Sequence, residues 1–138
     1  MTPNTKIEIN HNKITRIDGL DGFARIICPG NKNQQAAFLA VFVELKWAPD
    51  QFLPTLDPVA DKHGISPRTL ETVRAKMRRL GLIDHVSRFN KTTGYREGWI
   101  LSRRFERSLE RLSEQLGSFK RSNDGVQEQK DRDAYRYL

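Results

Sequence analysis

Arg68, Thr72, Ala75 and Arg79 follow one another at steps of four, three and four, which aligns them on one side of an α-helix turning about 100° per residue. Arginine can donate two hydrogen bonds to a guanine edge, and threonine or alanine can meet a thymine methyl. With Thr69 beside them, these side chains suit readout in the major groove of a duplex. Ser66, Lys76 and Arg78 add a hydroxyl and two cations of the kind that bind phosphate oxygens and fix orientation. Leu70, Val73, Met77 and Leu80 recur on the opposite side, which a fold would bury.

The charge of the chain is concentrated in the same place. The 138 residues carry a formal net charge of +7. Between Ser66 and Arg104 there are ten basic residues against the three acids Glu71, Asp84 and Glu97, whereas the rest of the chain holds fourteen of each sign. An excess spread over a surface speaks only of solubility. One confined to a helix and the segment behind it is the footprint expected for a phosphate backbone.

Other chemistries lack their residues. A single cysteine, Cys28, forms no internal disulfide and no cysteine-pair zinc site, and His11, His63 and His85 lack ligand spacing. No phosphate-cradling glycine loop or nucleophile motif occurs, so the expectation is a protein that is not an enzyme and needs no cofactor. No apolar run approaches the roughly 18 residues of a membrane span, and the N-terminal stretch has no apolar signal region. The expected location is the cytoplasm, associated with the nucleoid.

These side chains need a scaffold, and punctuation supplies it. Asp57 as cap with Pro58 behind it starts a first helix, Gly64 ends it in a left-handed conformation, and Ser66-Pro67 starts a second helix running to Leu80. Ahead of them, Asn33 to Trp47 is the most apolar helical segment, stopped by Pro49, and would be the central helix on which the pair rests. After Gly81, apolar runs from Ile83 to Phe89 and from Tyr95 to Leu101 flank a loop ending at Gly94, the pattern of a β-hairpin. Trp99 reads as core.

The flanks are less defined. Residues 1–30 predict β structure: Ile7 and Ile9 at period two, Ile14 and Ile17 after a turn, then a short strand from Phe23 to Cys28. From Ser102, Phe105, Leu109, Leu112 and Leu116 recur at four, three and four, a short helical seam ended by Gly117, which packs on its own domain or meets a second copy. Residues 119–138 are polar and mixed in charge, which predicts disorder.

Ala60, Gly64, Ile65, Leu70 and Val73 stand at the spacing of a helix-turn-helix, with His63 at a position where an apolar residue is common. Together with the Gly-Leu-Ile that follows and the basic hairpin, the segment resembles the winged helix-turn-helix DNA-binding proteins, of the bacterial and archaeal regulator type. The resemblance implies an α+β fold with a three-helix core and a β-hairpin wing across residues 31–101, with an N-terminal β segment and a C-terminal helix over 102–118. It implies that Arg88, Lys91 and Arg96 of the wing contact phosphates, with the hydroxyls of Thr92 and Thr93 beside them. It also implies a homodimer joined through Phe105, Leu109, Leu112 and Leu116. The function expected is sequence-specific binding of double-stranded DNA by a transcriptional regulator. Two alternatives stand beside it: a plasmid or phage replication-initiation or partition protein on repeated sites, and a winged-helix module that binds protein.

Overall fold

Four helices begin at a side chain that accepts a hydrogen bond from the backbone amide three residues on: Asn10 from Lys13 at 3.1 Å, Asn31 from Gln34 at 3.0 Å, Ser66 from Thr69 at 3.1 Å and Asp124 from Gln127 at 2.7 Å. Each cap satisfies an amide that the first turn leaves without an intrahelical partner. The computed structural model describes residues 4–92 and 94–138, apart from the side chains of Arg88 and Asn90. Among them the order is α1 (His11–Thr15), α2 (Leu20–Ile27), α3 (Lys32–Trp47), β1 (Phe52–Leu53), α4 (Asp57–His63), α5 (Pro67–Leu80), β2 (Ile83–Asn90), β3 (Gly94–Leu101), α6 (Arg104–Arg121) and α7 (Gly125–Asp133). The chain divides into two compact units, one ending at Arg104 and the other running from Phe105 to Leu138.

In the first unit α3 is the centre. Ala37, Phe38, Ala40, Val41 and Leu45 are buried, and α2, α4 and α5 all pack against this helix. The Phe38 ring meets Phe23 of α2 edge-on at 5.6 Å. Glu44 of α3 accepts from Lys62 at 2.9 Å and from His63 at 3.0 Å, so the histidine that departs from the helix-turn-helix pattern ties α4 to the central helix. Those two hydrogen bonds, Lys62 first, hold the Glu44 carboxyl below its usual range.

The turn from α4 to α5 rests on Gly64, whose φ of +65° is a left-handed conformation that costs a residue with a Cβ more than glycine. The Ile65 amide then bonds the carbonyl of Ala60 at 2.9 Å, with Ala60 buried where the helices approach. Helix α5 ends likewise at Gly81 (φ +88°), where the Leu82 amide reaches back to Met77 at 2.8 Å. Leu82 and Ile83 then enter the core and start the sheet.

The sheet is antiparallel with the order β1-β3-β2. The hairpin pairs Ile83 with Leu101 through to Asn90 with Gly94, as the apolar runs predict. The strand β1, which the sequence reading lacks, adds the pairs Phe52–Ile100 and Leu53–Trp99. Two residues carry no readable period. The result is an α+β protein with, among the described residues, seven helices and one three-stranded antiparallel sheet, an arrangement compatible with a winged-helix layout.

The N-terminal expectation of β structure is overturned. Residues 11–15 and 20–27 are helical, and among the described residues no strand precedes Phe52. Leu20, Phe23, Ala24 and Ile27 lie at the helical spacing of three, one and three, and Ala24, Ile26 and Ile27 are buried by α3 packing. Residues 4–10 form neither helix nor strand, and the Glu8 amide holds them on the carbonyl of Ile26 at 2.9 Å.

The second unit departs from expectation as well. Helix α6 does not stop at Gly117 but continues to Arg121. Residues 125–133 form a helix where disorder was expected, with Asp124 as cap and the pairs Gln127–Asp131, Gln129–Asp133 and Arg132–Glu128 along its surface at i, i+4. No helix among the described residues is long and apolar enough to cross a membrane.

Candidate nucleic-acid interface

Helix α5 buries Leu70, Val73 and Met77 and leaves Leu80 half-buried. That seating turns Arg68, Thr72 and Arg79 outward together, all exposed, as the spacing predicts. The Thr72 hydroxyl donates to the carbonyl of Arg68 at 3.0 Å, which leaves its oxygen able to accept. Thr69 is half-buried and committed to the cap: its Oγ1 accepts from the Ser66 hydroxyl at 2.8 Å. Ser66 and Thr69 therefore set the start of the helix.

Lys76 is a correction. Its side chain is 3% exposed, and its Nζ donates to the backbone carbonyl of Lys6 at 2.7 Å. It cannot reach a phosphate. It clamps the N-terminal segment against α5 instead, and burial pulls its amine below the ordinary value of 10.5, with the neighbouring Cys28 acting in the opposite sense. Burial in turn pushes the Cys28 thiol above its ordinary value, opposed by the Lys76 charge.

Between α5 and the hairpin lies a groove of about 840 Å³, lined by Arg74, Arg78 and Arg79 on the helix and by His85 and Trp99 on the strands. Trp99 is its buried floor, at 8% exposure. The guanidinium groups of Arg74 and Arg78 stand 5.3 and 5.9 Å from the centre of the indole, within cation–π range. His85 meets the same ring edge-on at 4.8 Å, and its Nε2 lies 3.5 Å from Glu97. An aromatic floor thus holds two cations at the seam of helix and hairpin.

Not every cation here is available. Arg74 is paired with Glu71. Arg104 donates from Nε to Asp84 at 3.0 Å and from its terminal nitrogen to the carbonyl of Arg78 at 3.1 Å, closing the C-terminal end of α5. Burial alone would raise the Asp84 carboxyl, but the hydrogen bonds from Arg104 and Ser102 and the charges of Arg104 and Arg78 hold it below its usual range. Arg68, Arg79 and Lys91 form no ion pair with any described residue.

In the hairpin, Lys91 and Thr92 are exposed in the connecting turn. The Arg96 guanidinium lies 4.5 Å from the centre of the Phe52 ring, on the β1 side of the sheet, away from the Trp99 groove. The Arg88 side chain and Thr93 lie outside the described residues.

On α6, Leu109, Leu112 and Leu116 are 40%, 62% and 53% exposed, and Phe119 extends their stripe at 65%. Phe105 is only 8% exposed in the single chain and does not belong to a free seam. Sequence reasoning missed the groove because its floor comes from β3 and its rim from α5; the register of Trp99 with His85 was the available signal. Among the described residues no group of three or more His, Cys, Asp or Glu could hold a metal. No protein-family model matches the chain, and comparison with curated proteins and with solved structures finds no match.

Proposed function

We propose that the chain is a winged helix-turn-helix protein that binds double-stranded DNA in a sequence-specific manner and acts as a transcriptional regulator by occupying its site. The observation that carries this reading is the outward face of α5. Burial of Leu70, Val73 and Met77 leaves Arg68, Thr72 and Arg79 together at the surface, within the segment from Ser66 to Arg104 whose excess of basic residues equals the net charge of the chain. In the major groove Arg68 and Arg79 reach guanine edges and Thr72 a thymine methyl. Arg78, from the Trp99 groove, and Lys91, from the wing tip, lie where the flanking phosphates pass, and supply affinity without sequence preference. A second copy joined along the exposed Leu109, Leu112 and Leu116 stripe would supply a second α5 for a second half-site.

Selection of bound duplexes from a random pool tests the reading. An enriched inverted repeat supports a dimeric regulator, enriched direct repeats point to the replication or partition alternative, and no enrichment refutes base readout. Affinity for the selected duplex falls steeply with salt if the cations meet phosphates, and a flat log-log dependence removes that contact.

A further inference from the structure

The tip of the hairpin carries two rings that take no part in the proposed readout by α5. Phe89 on β2 and Tyr95 on β3 are direct cross-strand partners, and they are 77% and 63% exposed. Side chains alternate across a strand, so this pair stands on the same face as His85 and Trp99, the face that Arg74 and Arg78 overlie. The pair Ser87–Glu97 lies between them on the same face, its carboxylate 3.5 Å from His85 Nε2, so the wing presents a cationic and aromatic patch beside α5 and a separate aromatic patch at its end. Exposed Lys91 sits in the turn just beyond. As a cross-strand pair the two rings stabilise the hairpin, and their outer faces, next to a cation, also match a nucleobase next to its phosphate.

We infer that Phe89 and Tyr95 form a base-stacking wedge, by which the wing tip engages a base of its DNA target that has left the duplex stack. This rests on the DNA-binding reading and adds a specificity to it. Opening a paired step costs free energy that an already unpaired base does not require, so the wedge favours DNA with a local opening. Lys91 neutralises the phosphate beside the engaged base. Arg68, Thr72 and Arg79 continue to read the paired region next to it.

The test compares a fully paired duplex with the same duplex carrying a short internal bubble, by fluorescence anisotropy with the full chain. Wild type binds the bubble on the order of tenfold more tightly, in line with the worth of one or two stacked rings. The double variant Phe89→Ala with Tyr95→Ala binds both duplexes alike, at the wild-type affinity for paired DNA. Phe89→Trp with Tyr95→Phe keeps the preference, and Phe89→Leu with Tyr95→Leu loses it, because an aliphatic side chain has no π face. Equal binding of the two duplexes by wild type overturns the wedge, as does a preference that survives in the alanine or leucine variants. A change of oligomeric state in the alanine variant also overturns it, since the rings would then be a protein contact. Loss of binding to every duplex by wild type is a different result and removes the DNA reading itself.

Discussion

Replacing Gly98 with alanine tests whether the hairpin is anchored as described. A Cβ at this position would stand 2.4 Å from the carbonyl oxygen of Leu53, 2.7 Å from the Phe52 ring and 2.8 Å from the Pro54 Cα. Two of these neighbours are backbone atoms, so no rotamer change relieves the overlap. The cheapest escape is to peel β1 from β3, because β1 holds only two paired residues. That frees the ladder but exposes Phe52, which is 7% exposed and carries Arg96 on its ring. Overpacking of this kind costs about 1–3 kcal/mol, and uncovering the ring has an upper bound of about 1.5–3 kcal/mol. A loss of roughly 2–4 kcal/mol is expected. In a protein of this size that lowers the midpoint of thermal unfolding by about 10 °C or more, read by circular dichroism.

The control is Gly64→Ala. Its Cβ meets nothing within 4 Å, but the backbone is left-handed at φ +65°, so the cost is conformational alone, about 1–2 kcal/mol. Gly98→Ala is expected to be the more damaging of the two. A midpoint within about 2 °C of wild type for Gly98→Ala would refute the close approach of β1 to β3, and with it the anchoring of the wing.

Two further outcomes follow from other parts of the chain. Setting Leu112 against Leu116 of an antiparallel second copy also brings Leu109 onto Phe119 and Glu106 opposite Lys120; Glu106→Lys is then expected to weaken dimerisation about tenfold and Glu106→Lys with Lys120→Glu to restore it, by analytical ultracentrifugation, while a dimer indifferent to both changes excludes this register. Lys76 binds its proton less tightly when folded than when unfolded, so the unfolded state holds more protons as pH rises toward 10.5 and wild-type stability gains over that interval relative to Lys76→Met; a difference in unfolding free energy between wild type and Lys76→Met that is the same at neutral and alkaline pH, by urea unfolding, would refute the burial of the amine.

The pair α4–α5 was legible because local rules decide it. Ser66, Gly64 and Gly81 each occupy a position where few residue types serve, and the apolar steps of α5 leave one seating. The flanks were not legible for the opposite reason. Phe23 to Cys28 satisfies both a strand's apolar run and a helix's spacing, and packing on α3 selects the helix, a choice made by residues more than ten positions away.

Lys76 shows the limit most sharply. It lies next to Met77 and three residues after Val73, inside the sector that α5 turns to the interior, yet a lysine read alone is assigned to solvent. What buries it is a carbonyl seventy residues earlier in the chain, and no window along the sequence contains both. Its burial narrows the candidate binding surface. With Arg74 paired to Glu71 and Arg104 to Asp84, the cations without an ion pair among the described residues include Arg68 and Arg79 on α5 and Lys91 at the wing tip. The charge that the sequence places broadly on this segment is thus divided by the fold into cations engaged with α5 and the hairpin and cations left exposed, which the proposed function assigns to DNA. A salt dependence reporting about as many phosphate contacts as there are unpaired cations, and not the ten basic residues of the segment, is what that division requires.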